Sequence, residues 1–115
     1  MFEVRKTFEI SAAHKLTLSY DSKCSNLHGH NWNITVACRS DCLNQDGMVY
    51  DFKLIKDQIS DALDHQNITD RIIIDGVRLN STAENIALWI SRKIGETCFE
   101  VIVKESEGNV AIWRK

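Results

Sequence analysis

The chain of 115 residues contains no proline and only five glycines. With no Pro- or Gly-rich stretch, no repeat and no low-complexity segment, nothing marks a linker. One domain spanning 1–115 is therefore expected. No run approaches the roughly 20 consecutive apolar residues that a membrane-spanning helix requires. The opening MFEVRKTFEISAAHK carries Glu3, Arg5, Lys6 and Glu9, where a secretory signal would carry an uninterrupted apolar segment. No charge of one sign dominates: 14 Lys and Arg stand against 16 Asp and Glu, a net charge of −2. That balance argues against a nucleic-acid or membrane partner, while a few local cations can still hold a phosphorylated small molecule. Cysteine is sparse too, at Cys24, Cys38, Cys42 and Cys98. In a chain expected to be cytoplasmic these are read as free thiols. No second Cys or His pair completes the Cys38/Cys42 spacing as a zinc finger, so Cys38 is expected to be a small core residue.

Hydrophobic residues make up 43% and charged residues 26% of the chain, the balance of a folded globular protein rather than a disordered one. A chain this short buries a modest core, so association with further copies is a natural source of stability.

Residues 2–14 alternate as a long strand, with Phe8, Ile10, Ala12 and His14 on one face. Residues 15–27 are polar and mixed and read as a loop. Residues 28–39 alternate again and align His28, His30, Trp32, Ile34, Val36 and Cys38. Asp51 can cap a helix over about 53–65 whose stripe is Leu54, Ile55, Ile59, Ala62 and Leu63. After a connector over 66–80, Ser81 and Glu84 match a capping box for a second helix. Its stripe is Ala83, Ala87, Ile90 and Ile94, and Gly95 is its expected stop. Strands over 99–105 and 109–114 form a closing hairpin around Ser106-Glu107-Gly108. The order is ββααββ, an α+β domain with two helices on one face of an antiparallel sheet.

Only four histidines occur. His28 and His30, one residue apart in a strand, project from one face, with Gly29 between them removing bulk from the other. His14 ends the preceding strand on its apolar face. If the two strands are neighbours, three imidazoles converge, and three such ligands with one open position suit catalytic zinc. An H-x-H by itself recurs by chance, and a structural cluster of histidines remains an alternative.

Cys24 lies four residues before His28 in a polar loop. A nearby metal and Lys23 would both favour its thiolate; it could equally be a fourth ligand of a closed site or a simple loop cysteine. His65, after Asp64 at the expected helix end, is explained either by the helix dipole or as a proton shuttle oriented by a carboxylate. Glu105 continues the parity of Phe99, Val101 and Val103, so an acid ends an apolar strand face. There it is either solvated by fraying or kept to hydrogen-bond an amidine-like edge.

Taken in order, the segments SAAHKL (11–16), CSNLHGH (24–30), MVYDF (48–52), LDH (63–65), STAEN (81–85) and VKE (103–105) resemble the 6-pyruvoyl- and 6-carboxy-tetrahydropterin synthase family along nearly the whole chain. The C-x3-HGH with a distal upstream histidine is the specific part of that resemblance. It implies the tunnelling (T-fold) ββααββ architecture, in which subunits join their sheets into a barrel. It also implies a homo-hexamer built as a dimer of trimers, with active sites between subunits. His14, His28 and His30 match the family's Zn2+ ligands and Cys24 its proton acceptor. Asp64 and His65 match the relay pair, and Glu105 the acid that grips the pterin. Thr82 falls in a segment lining the pterin pocket. The implied substrate is the small molecule 7,8-dihydroneopterin triphosphate. Lys15, Lys23, Arg78 and Lys104 are the basic residues near these segments.

Two positions depart from the family pattern. Ser81 replaces the usual proline, and a serine N-cap can do the same structural work. Ile68-Thr69 replaces a leucine-asparagine pair, a change expected to alter the pocket wall. The compact chain most resembles the 6-carboxy branch, a zinc lyase that releases acetaldehyde and triphosphate in queuosine (7-deazaguanine) biosynthesis. The alternatives are the 6-pyruvoyl branch, which eliminates triphosphate without losing carbon, and a non-catalytic zinc-binding assembly protein on the same scaffold. Cysteine rather than glutamate at position 24 argues against a folate-serving variant.

Overall fold

In a computed structural model, which describes residues 1–115, the two long alternating segments pair with each other along their entire length. β1 (Phe2–His14) runs antiparallel to β2 (His28–Ser40), in register from Phe2↔Ser40 to His14↔His28. The chain continues through α1 (Phe52–Leu63), β3 (Gln66–Asn67), β4 (Ile73–Ile74), β5 (Val77–Arg78), α2 (Ala83–Ile94), β6 (Cys98–Ser106) and β7 (Asn109–Arg114). The main sheet has the order β3-β1-β2-β6-β7, and β4 and β5 form a separate hairpin. Only β3 is parallel to its neighbour, β1. The expected ββααββ order is present, with three short strands added inside the connector.

Period-two burial explains the layers. Phe8, Ile10 and Ala12 of β1, Trp32, Ile34 and Val36 of β2, and Val101 and Val103 of β6 are buried on one sheet face. Against that face lie Ile55, Ile59 and Leu63 of α1 and Ile86, Ala87, Ile90 and Ile94 of α2, in one apolar cluster. Each fully buried aliphatic side chain contributes about 1.5–3 kcal/mol, so the helices are held by their stripes more than by their intrinsic propensity.

Several boundaries differ from expectation. α1 stops at Leu63: Asp64 is extended, and His65 is left-handed, at φ 58°. Asp64 is therefore the C-cap of α1 and His65 the residue just beyond it. Leu54 is 47% exposed, outside the stripe, whereas Ile55, Ile59 and Leu63 are buried and Ala62 packs beside them. The N-cap of α2 is Thr82, whose Oγ1 accepts the Asn85 N–H at 3.2 Å, so Ser81 and Glu84 do not form a capping box. Gly95 ends that helix as expected, at φ 104°, where a side chain would be strained.

A bulge between Ala37 and Cys38 sets Cys38 opposite Cys98. Cys98 is therefore buried in place of Phe99, which lies under the guanidinium groups of Arg39 (4.6 Å) and Arg5 (5.7 Å). Both thiols are free and buried; their contact and burial push the Cys98 thiol up. Ile68 is fully buried in the core, and Thr69 Oγ1 accepts the Lys15 N–H at 3.0 Å. Ile68 and Thr69 thus fasten the connector to the end of β1.

Candidate metal centre and active site

The β1–β2 register builds the centre. His14 lies directly opposite His28, and the small Ala12 lies opposite His30, so the three rings crowd together at one end of the core face. Ring centroids are 4.6 Å apart for His14–His28, 4.9 Å for His28–His30 and 5.4 Å for His14–His30. Trp32 closes the floor edge-on, 4.9 Å from His14 and 5.1 Å from His30. Its indole N–H donates to the Ala12 carbonyl at 3.2 Å, which fixes the ring's tilt.

Two histidines are oriented from behind. His14 Nδ1 is 2.7 Å from the Ser81 carbonyl, and His28 Nδ1 is 2.7 Å from the Asn26 carbonyl. A carbonyl only accepts, so each Nδ1 carries the hydrogen and each Nε2 turns a lone pair toward the other imidazoles. Burial is the main cause that lowers the His14 pKa, keeping the ring neutral, as a metal ligand must be.

Glu105 is the fourth member. One potential ligand atom from each of His14, His28, His30 and Glu105 lies within 4.8 Å of all the others. Glu105 Oε1 is 2.8 Å from His30 Nε2, yet that nitrogen, like His14 Nε2, is buried without an aligned hydrogen-bond partner. The 2.8 Å approach is thus proximity without a directed hydrogen bond. Buried polar atoms left unpaired are rare and call for an explanation. Three imidazoles and a carboxylate aimed at one point are a donor set that fits a divalent metal ion.

The other expected site residues lie apart from this cluster. Cys24 is in a single 3-10 turn (Lys23–Ser25), its N–H accepted by Ser22 Oγ at 3.1 Å and its carbonyl accepting from the Leu16 N–H at 2.8 Å. Its sulfur is not among the converging ligand atoms. His65 is exposed, with its Nε2 3.6 Å from Asp64 Oδ2. The pair is docked on β1, since Asp64 Oδ1 accepts the Ser11 N–H at 2.8 Å and the His65 N–H donates to the Ser11 carbonyl at 2.6 Å. His65 and His30 border a cleft of about 530 Å³ that also takes in Ala13, Gly29 and Asn31. A Cβ on Gly29 would meet only the Ala12 carbonyl oxygen, at 3.9 Å. The strands tolerate a side chain there, and what glycine preserves is the open cleft. Of the basic candidates, Arg78 is paired with Asp70 and Lys104 with Glu107, each at 2.8 Å, whereas Lys15 and Lys23 face no carboxylate.

The supports of His14 were not expected. Asn80 brackets Thr17, its Oδ1 accepting the Thr17 N–H and its Nδ2 donating to the Thr17 carbonyl, both at 3.0 Å. Asn85 Nδ2 in turn donates to the Asn80 carbonyl at 2.9 Å. The turn that carries the Ser81 carbonyl is thereby stapled to the segment that follows His14. Thr82, expected near the pterin, uses its hydroxyl as the cap of α2.

Comparison with known proteins agrees with this geometry. The 6-pyruvoyl tetrahydropterin synthase profile matches residues 3–115. The chain belongs to that family. A 6-carboxy-5,6,7,8-tetrahydropterin synthase of Synechocystis is 34% identical, covering 84% of this chain and 77% of its own. A 6-pyruvoyl tetrahydrobiopterin synthase of Drosophila melanogaster is 30% identical, covering 96% and 76%. The structure of the Caenorhabditis elegans 6-pyruvoyl tetrahydropterin synthase superposes with a TM-score of 0.74 at 27% identity, over 99% of this chain and 95% of the other. The fold is accordingly the T-fold expected from the sequence, and the protein is a pterin synthase of this family, with a His/Glu cluster able to hold a metal. No helix is long and apolar enough to cross a membrane.

Proposed function

We propose that the chain converts 7,8-dihydroneopterin triphosphate to 6-carboxy-5,6,7,8-tetrahydropterin, with release of acetaldehyde and triphosphate, at a zinc ion held by His14, His28 and His30. The observation that carries this reading is the convergence of three imidazoles whose Nδ1 hydrogens, in two cases, are tied down behind them. When bound, zinc supplies Lewis acidity toward the oxygens of the substrate side chain.

The residues divide the remaining work by chemistry. Glu105, acid at the end of an apolar strand, accepts the amino and N–H edge of the pterin through its two oxygens. That fixes which side-chain carbon faces the base. The Cys24 thiolate removes a carbon-bound proton, and His65, oriented by Asp64, exchanges protons with side-chain oxygen. Lys15 and Lys23, the two candidate cations without acidic partners, are suited to the triphosphate. Cys24 and His65 lie outside the histidine cluster within one chain, so the complete site is proposed to form between subunits of a homo-hexamer, with Thr82 contributed from a neighbour. Mass balance requires one water in the carbon–carbon cleavage.

The 6-pyruvoyl product is the second reading, favoured by the Drosophila relative at 30% identity. Mass spectrometry of products from zinc-loaded protein and 7,8-dihydroneopterin triphosphate decides between them. A 6-carboxy product with acetaldehyde supports the proposal, and a 6-pyruvoyl product moves the chain to the other branch. Untouched substrate with folded, zinc-bearing protein would leave the non-catalytic reading.

A further inference from the structure

Glu105 occupies an unusual position in its strand. β6 and β7 pair at Lys104↔Val110 and then at Ser106↔Asn109, so Glu105 is the unpaired residue of a bulge. Pairing with β2 ends at Asn33↔Lys104, one residue earlier. A bulge bends its strand, and the carboxylate at this one lies among the histidines. That carboxylate has no cationic or hydrogen-bonding partner other than its approach to His30 Nε2 at 2.8 Å. Its side chain is 27% exposed, so an incoming molecule can reach it.

Two demands fall on one group. Ligands of a single tetrahedral zinc sit roughly 3.3 Å apart, given bonds of about 2 Å. The Glu105 oxygen lies in that neighbourhood, in a set of four donors within 4.8 Å of one another. Gripping a planar amino/N–H edge, by contrast, takes both carboxylate oxygens side by side, leaving neither turned toward the histidines.

Building on the metal and pterin assignments proposed above, we infer that Glu105 serves the two in turn. Without pterin its carboxylate completes the coordination of the metal beside His14, His28 and His30. A pterin ring draws it away, and its departure frees that coordination position for an oxygen of the substrate side chain. Ring recognition and readiness of the metal are thereby coupled through one residue, and a molecule with hydroxyls but no amino/N–H edge leaves the position closed.

Cobalt reports the exchange without turnover. Metal-free wild type, Glu105→Ala and Glu105→Gln are titrated with Co2+ while the visible d–d band is followed, and each is then given pterin, which lacks a hydroxylated side chain. The wild type is expected to bind Co2+ about tenfold or more tightly than Glu105→Ala, with a distinct band, and Glu105→Gln to fall between them. Pterin, at concentrations where its fluorescence shows it bound to both proteins, should move the wild-type band toward that of Glu105→Ala and leave the Glu105→Ala band in place. Equal affinity and spectra in all three proteins overturn the inference, and Glu105→Gln decides the point should Glu105→Ala not fold. A wild-type band that stays put while pterin fluorescence shows binding also overturns it, as does an equal shift in Glu105→Ala, which means the ring itself touches the metal. Folded wild type that takes up no cobalt, or binds no pterin, refutes the underlying assignment instead.

Discussion

Asn80→Ala should weaken metal binding although Asn80 contributes no ligand. Its two hydrogen bonds to Thr17, each 3.0 Å, tie the segment after His14 to the turn whose Ser81 carbonyl takes the His14 Nδ1 hydrogen at 2.7 Å. Direct outer-shell partners of ligating histidines are worth roughly 10–100-fold in affinity. Asn80 acts one bond further out, so the lower end applies: about tenfold, or ~1.4 kcal/mol. Global stability should fall by only about 1 kcal/mol, because both bonds are solvent-accessible and each nets little. The assay is competition for Zn2+ against a chromophoric chelator, beside urea denaturation of the metal-free protein. Asn44→Ala is the matched control. Asn44 Oδ1 also accepts two backbone N–H groups, from Asp46 at 2.9 Å and Met48 at 3.1 Å, beyond the opposite end of β2 from the histidines. It should lose comparable stability and keep wild-type affinity. An unchanged affinity in Asn80→Ala, or an equal loss in Asn44→Ala, would refute the positioning argument.

Three further outcomes follow from the fold. Glu100 is nearly buried on the outer sheet face between Arg114 and Arg5, each 2.7 Å away, and those two guanidinium groups hold its carboxyl below the usual range. A depressed folded pKa adds stability that is complete above the unfolded value of about 4.3 and is lost as pH falls through the folded value. The deficit of Glu100→Gln, about 1–3 kcal/mol at pH 7, should therefore shrink toward pH 3 in denaturant titrations; a constant deficit contradicts the assignment. Ile59→Ala, which empties a fully buried position of α1, should cost about 2–5 kcal/mol, and a loss under 1 kcal/mol by urea titration would count against the packing described. His65→Asn should fold as well as wild type, whereas His65→Val should lose about 1–2 kcal/mol, because a β-branched residue resists the left-handed backbone at φ 58°. Equal melting temperatures for the two variants would contradict that conformation.

How much of the site was legible varies residue by residue. The alternation of 2–14 and 28–39 predicted both long strands, and the HGH spacing with His14 at a strand end predicted three imidazoles on one face. Glu105 stood out by its parity, but nothing in V-K-E announces the bulge at which it sits or its 2.8 Å approach to His30. Asn80 and Ser81 gave no sign of their role behind His14, because a backbone carbonyl that holds an imidazole leaves no mark on residue type. The C-terminal end of α1 was misplaced by two residues and the N-cap of α2 by one, whereas the Asp51 cap and the Gly95 stop stand where the sequence put them. Capping depends on which hydroxyl reaches a free N–H, and Thr82 stands one residue closer than Ser81.

Sequence by itself determined what is local and periodic: which faces are apolar, which residue types can bind a metal, and which motifs align with the pterin synthase family. Burial of one strand face rewards every second residue, and that regularity survives in the one-dimensional order. Tertiary structure alone decided the β1–β2 register that sets His14 opposite His28, the Ser81 carbonyl behind His14, and the docking of Asp64-His65 on Ser11. Those are contacts between segments as many as 67 residues apart, and they exist only once the sheet and helices have chosen a common packing.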